Sequence, residues 1–406
     1  MASSPLSAGR YSPGAEYSLS SDKSPVVLEL GRAYTKCGFA REPSPRAIIP
    51  SRVAGHELYS YSHASELPHL LQDFLYAVYY KHLCTSPKDR RLVVVESLMV
   101  PTEFKDTLAS VLYEHFEVPA VVFVPSHLCT LYTLRLNTAL VVDVGYRETS
   151  VLPVFEGVCM LQAFRDAPLG AHEIHRRLEG FLLKFGNVVC PDGQTRFLGE
   201  LNPDILADGQ IVEDIKVRTC FVTPRERHAQ AQAFQEAFCE GRQQELPSPS
   251  DVRYPLEGDK VLNIPGTLRE FAAECLFELD NEMVSVATLV LDSLLQCNRD
   301  TRRALAENVV VTGGTAMLPG FRRRLREELV ALLQEPRYKD KLFIEKFQFH
   351  TTPCCANITA WLGGSVYGAT DYVGSQAMTK EQFIDHDKHV PDWADQKWKK
   401  DLVPGL

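Results

Sequence analysis

Long apolar runs, positive charge and paired cysteines are the three things this chain lacks. No stretch approaches the ~18 consecutive apolar residues that a membrane-spanning helix needs, so direct insertion into a membrane is not expected. The first 24 residues, MASSPLSAGRYSPGAEYSLSSDKS, carry neither an apolar core nor a basic flank, so no secretory signal is visible. Lys and Arg total 43 against 52 Asp and Glu, a net charge of -9, which disfavours binding nucleic acid through its phosphates. The cysteines number 11, an odd count without a CxxC repeat, and their one adjacent pair is Cys354-Cys355. That usage predicts reduced thiols in the cytosol or nucleus rather than a disulfide framework, with the adjacent pair in a packed turn. His172 and His175 stand three residues apart, but no cysteine or carboxylate set completes a zinc site, so no metal is expected there.

What is present is ordinary: 45% hydrophobic and 23% charged residues in a chain of 406. These values predict two or three soluble domains of ~150 residues each. Residues 1–24 are rich in Ser, Pro and Gly and read as a disordered leader. Val26 to Gly31 and Tyr34 to Ala40 read as a strand, a turn and a returning strand. Residues 67–83, 103–116 and 127–136 have helical spacing, and Arg91 to Glu96 and Val121 to Val124 read as buried strands. Leu140 to Thr149 repeats the pattern of Val26 to Thr35: apolar residues, a carboxylate, a glycine and a polar turn. Each copy heads a run of strands and helices, which predicts two related α/β halves whose first hairpins face one another.

Residues 180–260 are less regular, with a helix expected at 225–240 and a loop around Pro247-Ser248-Pro249-Ser250. Helices are expected at 267–279 and 284–296, then a strand from Glu307 to Thr312. The basic run Arg322 to Arg326, followed directly by Glu327 and Glu328, reads as a solvated helix face rather than a nucleic-acid patch. Trp361 to Ser365 falls on a last apolar helix, ahead of a polar tail at 377–406.

Glycines after strands let backbone N–H groups approach an anion without a Cβ in the way. Gly31, Gly145 and the Gly313-Gly314 pair each follow an apolar strand, so three turns could surround one phosphate chain. Asp143 could hold a metal-bound water there, and Lys36 could reach a phosphate. Any one of these glycines is most simply a turn; the combination carries the reading.

That combination resembles the actin family. Lys36-Cys37-Gly38-Phe39-Ala40 with Pro45-Arg46 and Ile49-Pro50-Ser51 resembles the family's first phosphate hairpin. Asp143-Val144-Gly145 with Pro153 to Gly157 resembles the second. Asp214-Ile215-Lys216 with Cys220-Phe221-Val222, Gly313 to Met317 with Pro319-Gly320, and Trp361 to Ser365 follow in the family's order. The resemblance implies an α/β, actin-like fold of two ribonuclease-H-like α/β domains flanking a nucleotide cleft. It places 25–142 in the first domain, with a reduced second subdomain near 52–67. Residues 143–350 form the second domain, and 351–406 return to the first and end in a tail. It also nominates Gly31, Lys36, Asp143, Gly145, Lys216, Gly313, Gly314 and Met317 around the cofactor.

The departures from the family pattern are as informative. Glu29 replaces an aspartate at the head of the first hairpin, and Arg32 and Ala33 replace the small phosphate-donating residues. Val144, Tyr146 and Arg147 stand where actins have a serine, a metal-water aspartate and a glycine. Ser126 replaces the glutamine that positions the attacking water, and Val217 replaces an acidic nucleoside contact. Losing water-handling groups should remove most of the rate of a phosphoryl transfer, so the chain is not expected to be an enzyme. ATP or ADP, tightly held and not hydrolysed, is the expected cofactor, with Arg32 or Arg147 able to neutralise phosphate charge.

The stretch from Ser51 to Pro68 is too short for the subdomain whose loop inserts into the next filament subunit. The receiving groove at the barbed end keeps matches at Tyr132, Val366 and Tyr367. This pattern resembles the branch of the family that caps the pointed end of the centractin filament in dynactin. It implies centractin or actin subunits as partners through the groove, dynactin's pointed-end subunits as further partners, and a place in the cytoplasm on the cytoskeleton. A silent actin-related subunit of a nuclear chromatin remodeller, or a kinase of the same superfold, are the alternatives.

Overall fold

The structure, a computed structural model, describes residues 23–392 apart from 202, 208, 228–229, 231–247 and 257. Two sheets organise it. The first has six strands in the order Met378–Thr379, Ala120–Pro125, Leu92–Glu96, Val26–Leu30, Tyr34–Phe39, Ala47–Pro50. Its centre is parallel, Val26 pairing Leu92 and Leu92 pairing Val121, and Val26–Leu30 turns back antiparallel onto Tyr34–Phe39. Parallel central strands need both faces covered, which explains the near-continuous burial of Leu92–Glu96. The second sheet repeats the scheme. Ala139–Val144 pairs antiparallel with Thr149–Phe155 and parallel with Val309–Thr312, and Arg165–Ala167 joins beyond Thr149–Phe155. The two first hairpins, Val26–Phe39 and Ala139–Phe155, are therefore structural counterparts, as the repeated pattern predicts.

Packing on the first sheet depends on a helix with a glycine face. Thr359–Gly368 lies across Val27, Val93 and Val95, and fully buried Trp361 donates its Nε1–H to the Val27 carbonyl at 3.1 Å. A Cβ on Gly363 would sit 1.7 Å from the Cys129 carbonyl oxygen, and one on Gly364 would sit 2.4 Å from Val95. Only glycine lets this helix meet both the strands and the helix Ser126–Tyr132 so closely.

Several sequence expectations need correction. The helix expected over 67–83 is α-helical from Leu67 to Tyr76 and then widens into a π turn, Ala77–His82, which keeps Val78 and Tyr79 buried. The one expected over 127–136 stops at Tyr132, where the chain turns through Arg135 at φ 55°. The stretch 267–279 is a short helix, Gly266–Phe271, followed by a single turn, Glu274–Leu276. Glu274 is the reason that turn is fixed, because it is the buried partner of Arg324. Arg324 in turn corrects the reading of Arg322 to Arg326 as a solvated face. It is fully buried, held by Glu274 at 2.9 Å, Glu328 at 2.7 Å and the Thr223 carbonyl at 3.0 Å. Arg323, with Glu327 at i,i+4, does face solvent.

The irregular region 180–260 contributes to a third, antiparallel sheet in the order Thr195–Phe197, Asn187–Val189, Val261–Ile264, Val252–Pro255. Its strands have three or four residues each, too short for alternation to register. The expected helix at 225–240 falls mostly outside the described residues, as does the leader; only the turn Arg225–Arg227 is described in full. The polar tail begins as an integral edge strand, Met378–Thr379. A capping box at Thr379 and Gln382 starts the helix that follows, whose Phe383 packs against Tyr113 at 5.2 Å. The tail beyond 392 lies outside the described residues. No helix among the described residues is long and apolar enough to cross a membrane.

Two glycine substitutions should separate packing from propensity. Gly363→Ala should destabilise the protein by about 2 kcal/mol, because the colliding atom is backbone and cannot rotate away. Gly180→Ala, on an exposed helical position with nothing within 4 Å, should stabilise it by about 0.5–1 kcal/mol. Equilibrium denaturation of both variants checks the signs.

Candidate functional site

The ends of both central sheets open onto one cavity of about 500 Å³, lined by the Gly31–Tyr34 and Gly145–Glu148 turns and the Gly313–Thr315 segment. All eight nominated cofactor residues, Gly31, Lys36, Asp143, Gly145, Lys216, Gly313, Gly314 and Met317, line this one space. Ser126 and Tyr146 line it too.

Gly313 is the position that draws the turns together. Its φ is +94°, and a Cβ there would lie 2.2 Å from the Val144 carbonyl oxygen and 2.6 Å from Asp143 Oδ1. Its N–H donates to the Ala356 carbonyl at 3.0 Å, and Thr315 donates to the Gly145 carbonyl at 2.6 Å. The Gly31 turn is tied from below: Ser51 Oγ donates to the Gly31 carbonyl at 2.7 Å, and the Ser51 N–H donates to the Ala33 carbonyl at 2.9 Å.

The charges are arranged differently from the sequence reading. Lys36 does not project free toward a phosphate; it is ion-paired to Glu29, one residue before the turn strand ends. Glu29 and Lys36 stand directly opposite one another in the antiparallel pairing of Val26–Leu30 with Tyr34–Phe39, which brings the carboxylate to the lysine. Its other oxygen, Oε2, is buried without a hydrogen-bond partner, as is Asn357 Oδ1 on the cavity wall. Burial holds both Glu29 and Asp143 above the ordinary carboxylate range, and Lys36 opposes the rise in each. Arg32 lies over the Tyr59 ring at 4.3 Å, and Arg147 reaches Glu57 at 3.2 Å, so both guanidinium groups are already engaged.

At the other end of the cavity, Lys216 donates to Glu213 at 2.7 Å and lies 3.0 Å from His175 Nε2, which is also 2.8 Å from Glu213. Tyr146 packs edge-on against His175 and His172 at 5.6 and 6.0 Å. Burial alone would raise the Glu213 carboxyl, but the hydrogen bond with His175 and the Lys216 charge take it down to about 2. Burial lowers His175, which Glu213 only partly offsets. Sequence reasoning missed Glu213 and took His175 only as a failed metal ligand. The i,i+3 spacing of Glu213 and Lys216 was the available signal. No cluster able to hold a metal ion is found among the described residues.

Do these residues fit a nucleotide? The volume suits a small-molecule site, and the glycine turns leave backbone where a side chain could not fit. The unpartnered Glu29 oxygen beside Asp143 fits a phosphate that arrives with a counter-cation, not a bare polyanion. The fit is therefore to a cation-bound phosphate chain.

Tyr132, Val366 and Tyr367 lie away from this cavity but together. Tyr132 and Tyr367 stack at 5.8 Å with planes 15° apart, and Tyr132 and Val366 are 37% and 42% exposed. They form an exposed aromatic ledge where the helices Ser126–Tyr132 and Thr359–Gly368 meet.

Two mutually resembling lobes around a glycine-lined cavity define an actin-type architecture, and the family model described as Actin matches residues 68–398. The chain belongs to the actin family. Among curated relatives it is similar to Actin-related protein 10 of Dictyostelium discoideum, 28% identical across 91% of this chain and 89% of that one. It is also similar to Actin-related protein 2 of Acanthamoeba castellanii, 27% identical across 84% of this chain and 90% of the relative. The family match begins at Pro68, after the first hairpin and the shortened stretch.

Acid should expose the His175–Glu213–Lys216 cluster. Glu213 is depressed in the folded state, so its contribution is complete above its ordinary value of 4.5 and is lost as pH falls toward about 2. His175 is depressed too, so protonating it below its ordinary 6.5 also works against the fold. Denaturant titrations across this range should show Glu213→Gln losing less stability in acid than the parent; an equal loss would remove Glu213 from the account.

Proposed function

We propose that this chain is a non-catalytic structural subunit that caps the pointed end of the centractin filament in dynactin. There it links the filament to the pointed-end subunits and supports dynein-driven transport in the cytoplasm. The observation that carries this reading is the stretch between Ser51 and Leu67. In place of an inserting loop it has a hairpin of two two-residue strands, Arg52–Val53 and His56–Glu57, folded against the chain's own cleft. Leu58 at its base is fully buried, and its N–H donates to the Ser51 carbonyl at 2.9 Å. So short a hairpin, anchored at its base, leaves little chain to insert into a neighbour. The Tyr132–Tyr367 ledge at the opposite groove supports the other half of the reading, since it leaves an aromatic anchor exposed for a partner. A subunit with a receiving groove and no inserting loop ends a polymer.

The cleft holds ATP or ADP as a structural ligand. Gly31, Gly145 and the Gly313-Gly314 backbone border the phosphates, Glu29 and Asp143 face the accompanying cation, and Lys216 and Met317 border the nucleoside end. When bound, the nucleotide supplies charge and contact area to both lobes. The protein leaves it intact. Ser126, half the length of a water-orienting glutamine, lies beside His127, and Tyr146 is packed on His172 and His175. With the water-orienting amide replaced by a short hydroxyl and the metal-side carboxylate by a tyrosine, the positioning that a phosphoryl transfer depends on is lost.

Purified protein should show no ATP hydrolysis above a buffer blank. Turnover at ordinary actin-like rates, abolished by Asp143→Asn, would contradict this. For the assembly, a standard interface needs ~800 Å² per partner, and a central aromatic commonly carries ~2 kcal/mol or more of it. Tyr132→Asp should therefore release the chain from the filament, a loss of about 30-fold or more in affinity, with its folding intact. Affinity purification with identification of co-purifying chains, followed by electron microscopy of the complex, tests the placement. Finding the chain inside the filament or at its barbed end would overturn it.

A further inference from the structure

The short hairpin does more than omit a loop. It is rooted rigidly in the first lobe. The Tyr59 hydroxyl donates to the Leu30 carbonyl at 2.9 Å, its ring stacks on Phe104 at 4.7 Å, and Arg32 covers its other side. Ala54 and Gly55, both at positive φ (48° and 87°), make the tight turn between the two short strands. From this root the Glu57 carboxylate extends to Arg147 on the facing Gly145–Glu148 turn of the second lobe, at 3.2 Å. A second tie follows on the same turn, Ser97 Oγ donating to Glu148 at 3.4 Å.

These contacts sit at a neck. A second, outer space of about 1000 Å³ lies beyond the inner cavity, and Arg32, Ala33, Tyr34, Tyr146, Glu213 and Val217 line both. Arg147 borders the inner space and Glu57 the outer one, so their ion pair spans the passage between them. We infer that Glu57 and Arg147 form a latch between the lobes that limits the opening of the cleft and the exit of its ligand. Arg147 is thereby an exit-limiting residue and not a phosphate ligand. The inference rests on the proposed occupancy of the inner cavity by an anionic nucleotide, but the latch itself is a property of the chain.

The pair is partly exposed, with side-chain accessibilities of 46% and 32%, so its effect is modest and sensitive to salt. The test uses the full-length chain loaded with etheno-ATP and chased with excess ATP, alongside backbone hydrogen–deuterium exchange of the nucleotide-free chain. Glu57→Gln and Arg147→Ala should each speed release about two- to five-fold and lessen its dependence on salt. Both should raise hydrogen exchange in peptides covering 52–59 and 143–150, and the swap Glu57→Arg with Arg147→Glu should restore both measurements. Release and hydrogen exchange unchanged in the single variants would overturn the latch. A parent chain that retains no etheno-ATP would overturn the occupancy reading alone. Hydrogen exchange in the same variants then decides the latch by itself.

Discussion

The close approach of backbone at Gly313 is the constraint on which the cleft depends. Its positive φ and absent side chain let the chain leaving Val309–Thr312 lie directly against the Val144 carbonyl, one residue beyond the parallel pairing of Thr312 with Asp143. The same residue donates to Ala356, and Thr312 donates there as well, at 2.9 Å. Ala356 leads into Thr359–Gly368, the helix seated on the first sheet. One glycine thus joins the second sheet's turn to the segment that returns to the first lobe. A Cβ at this point would push on the Val144 backbone, which cannot rotate away, and on the Asp143 carboxylate beside it.

Around that fixed backbone the side chains have been redistributed toward holding. Glu29 reaches Lys36, Arg32 lies on Tyr59, Arg147 is paired with Glu57, and Lys216 is shared between Glu213 and His175. Each cation that could meet a phosphate or stabilise a transition state has a protein partner. Such pairing spreads interactions across the cleft wall, where a catalytic site would keep charges poised for developing charge. The cleft's glycine turns match the family's motifs, and the cations around them are paired within the chain.

Much of this was legible in the sequence because backbone requirements leave strong marks. Glycines after apolar strands, and the repeat of Val26–Thr35 in Leu140–Thr149, pointed to two facing hairpins, and both line the same cavity. Tyr132 and Tyr367, two of the residues named for a partner groove, do stack on one another, while the groove's role belongs to the proposal. What escaped was long-range pairing. Helical spacing puts Arg324 on the buried face with Phe321, Leu325 and Glu328, but the partner that holds it, Glu274, stands fifty positions away, while Arg323 is solvated. Arg147 was assigned to a ligand because the sequence does not reveal that Glu57 stands within reach, whereas Glu29 lies directly opposite Lys36 in the hairpin that the sequence shows, and that pairing was missed. The strands of the third sheet were too short to show a period, and the break after Phe271 is set by a tertiary partner rather than by a helix-ending residue.

The proposed function requires polarity: a filament bound through the groove, and no surface for another subunit beyond this chain. Fluorescence microscopy of single centractin filaments with marked ends tests it most directly, by following growth at each end after the chain is added. Under the proposed polarity, growth stops at the pointed end, with one labelled copy of this chain there, while the barbed end continues to elongate. Arrest of the barbed end, or copies of this chain distributed along the filament, would contradict it.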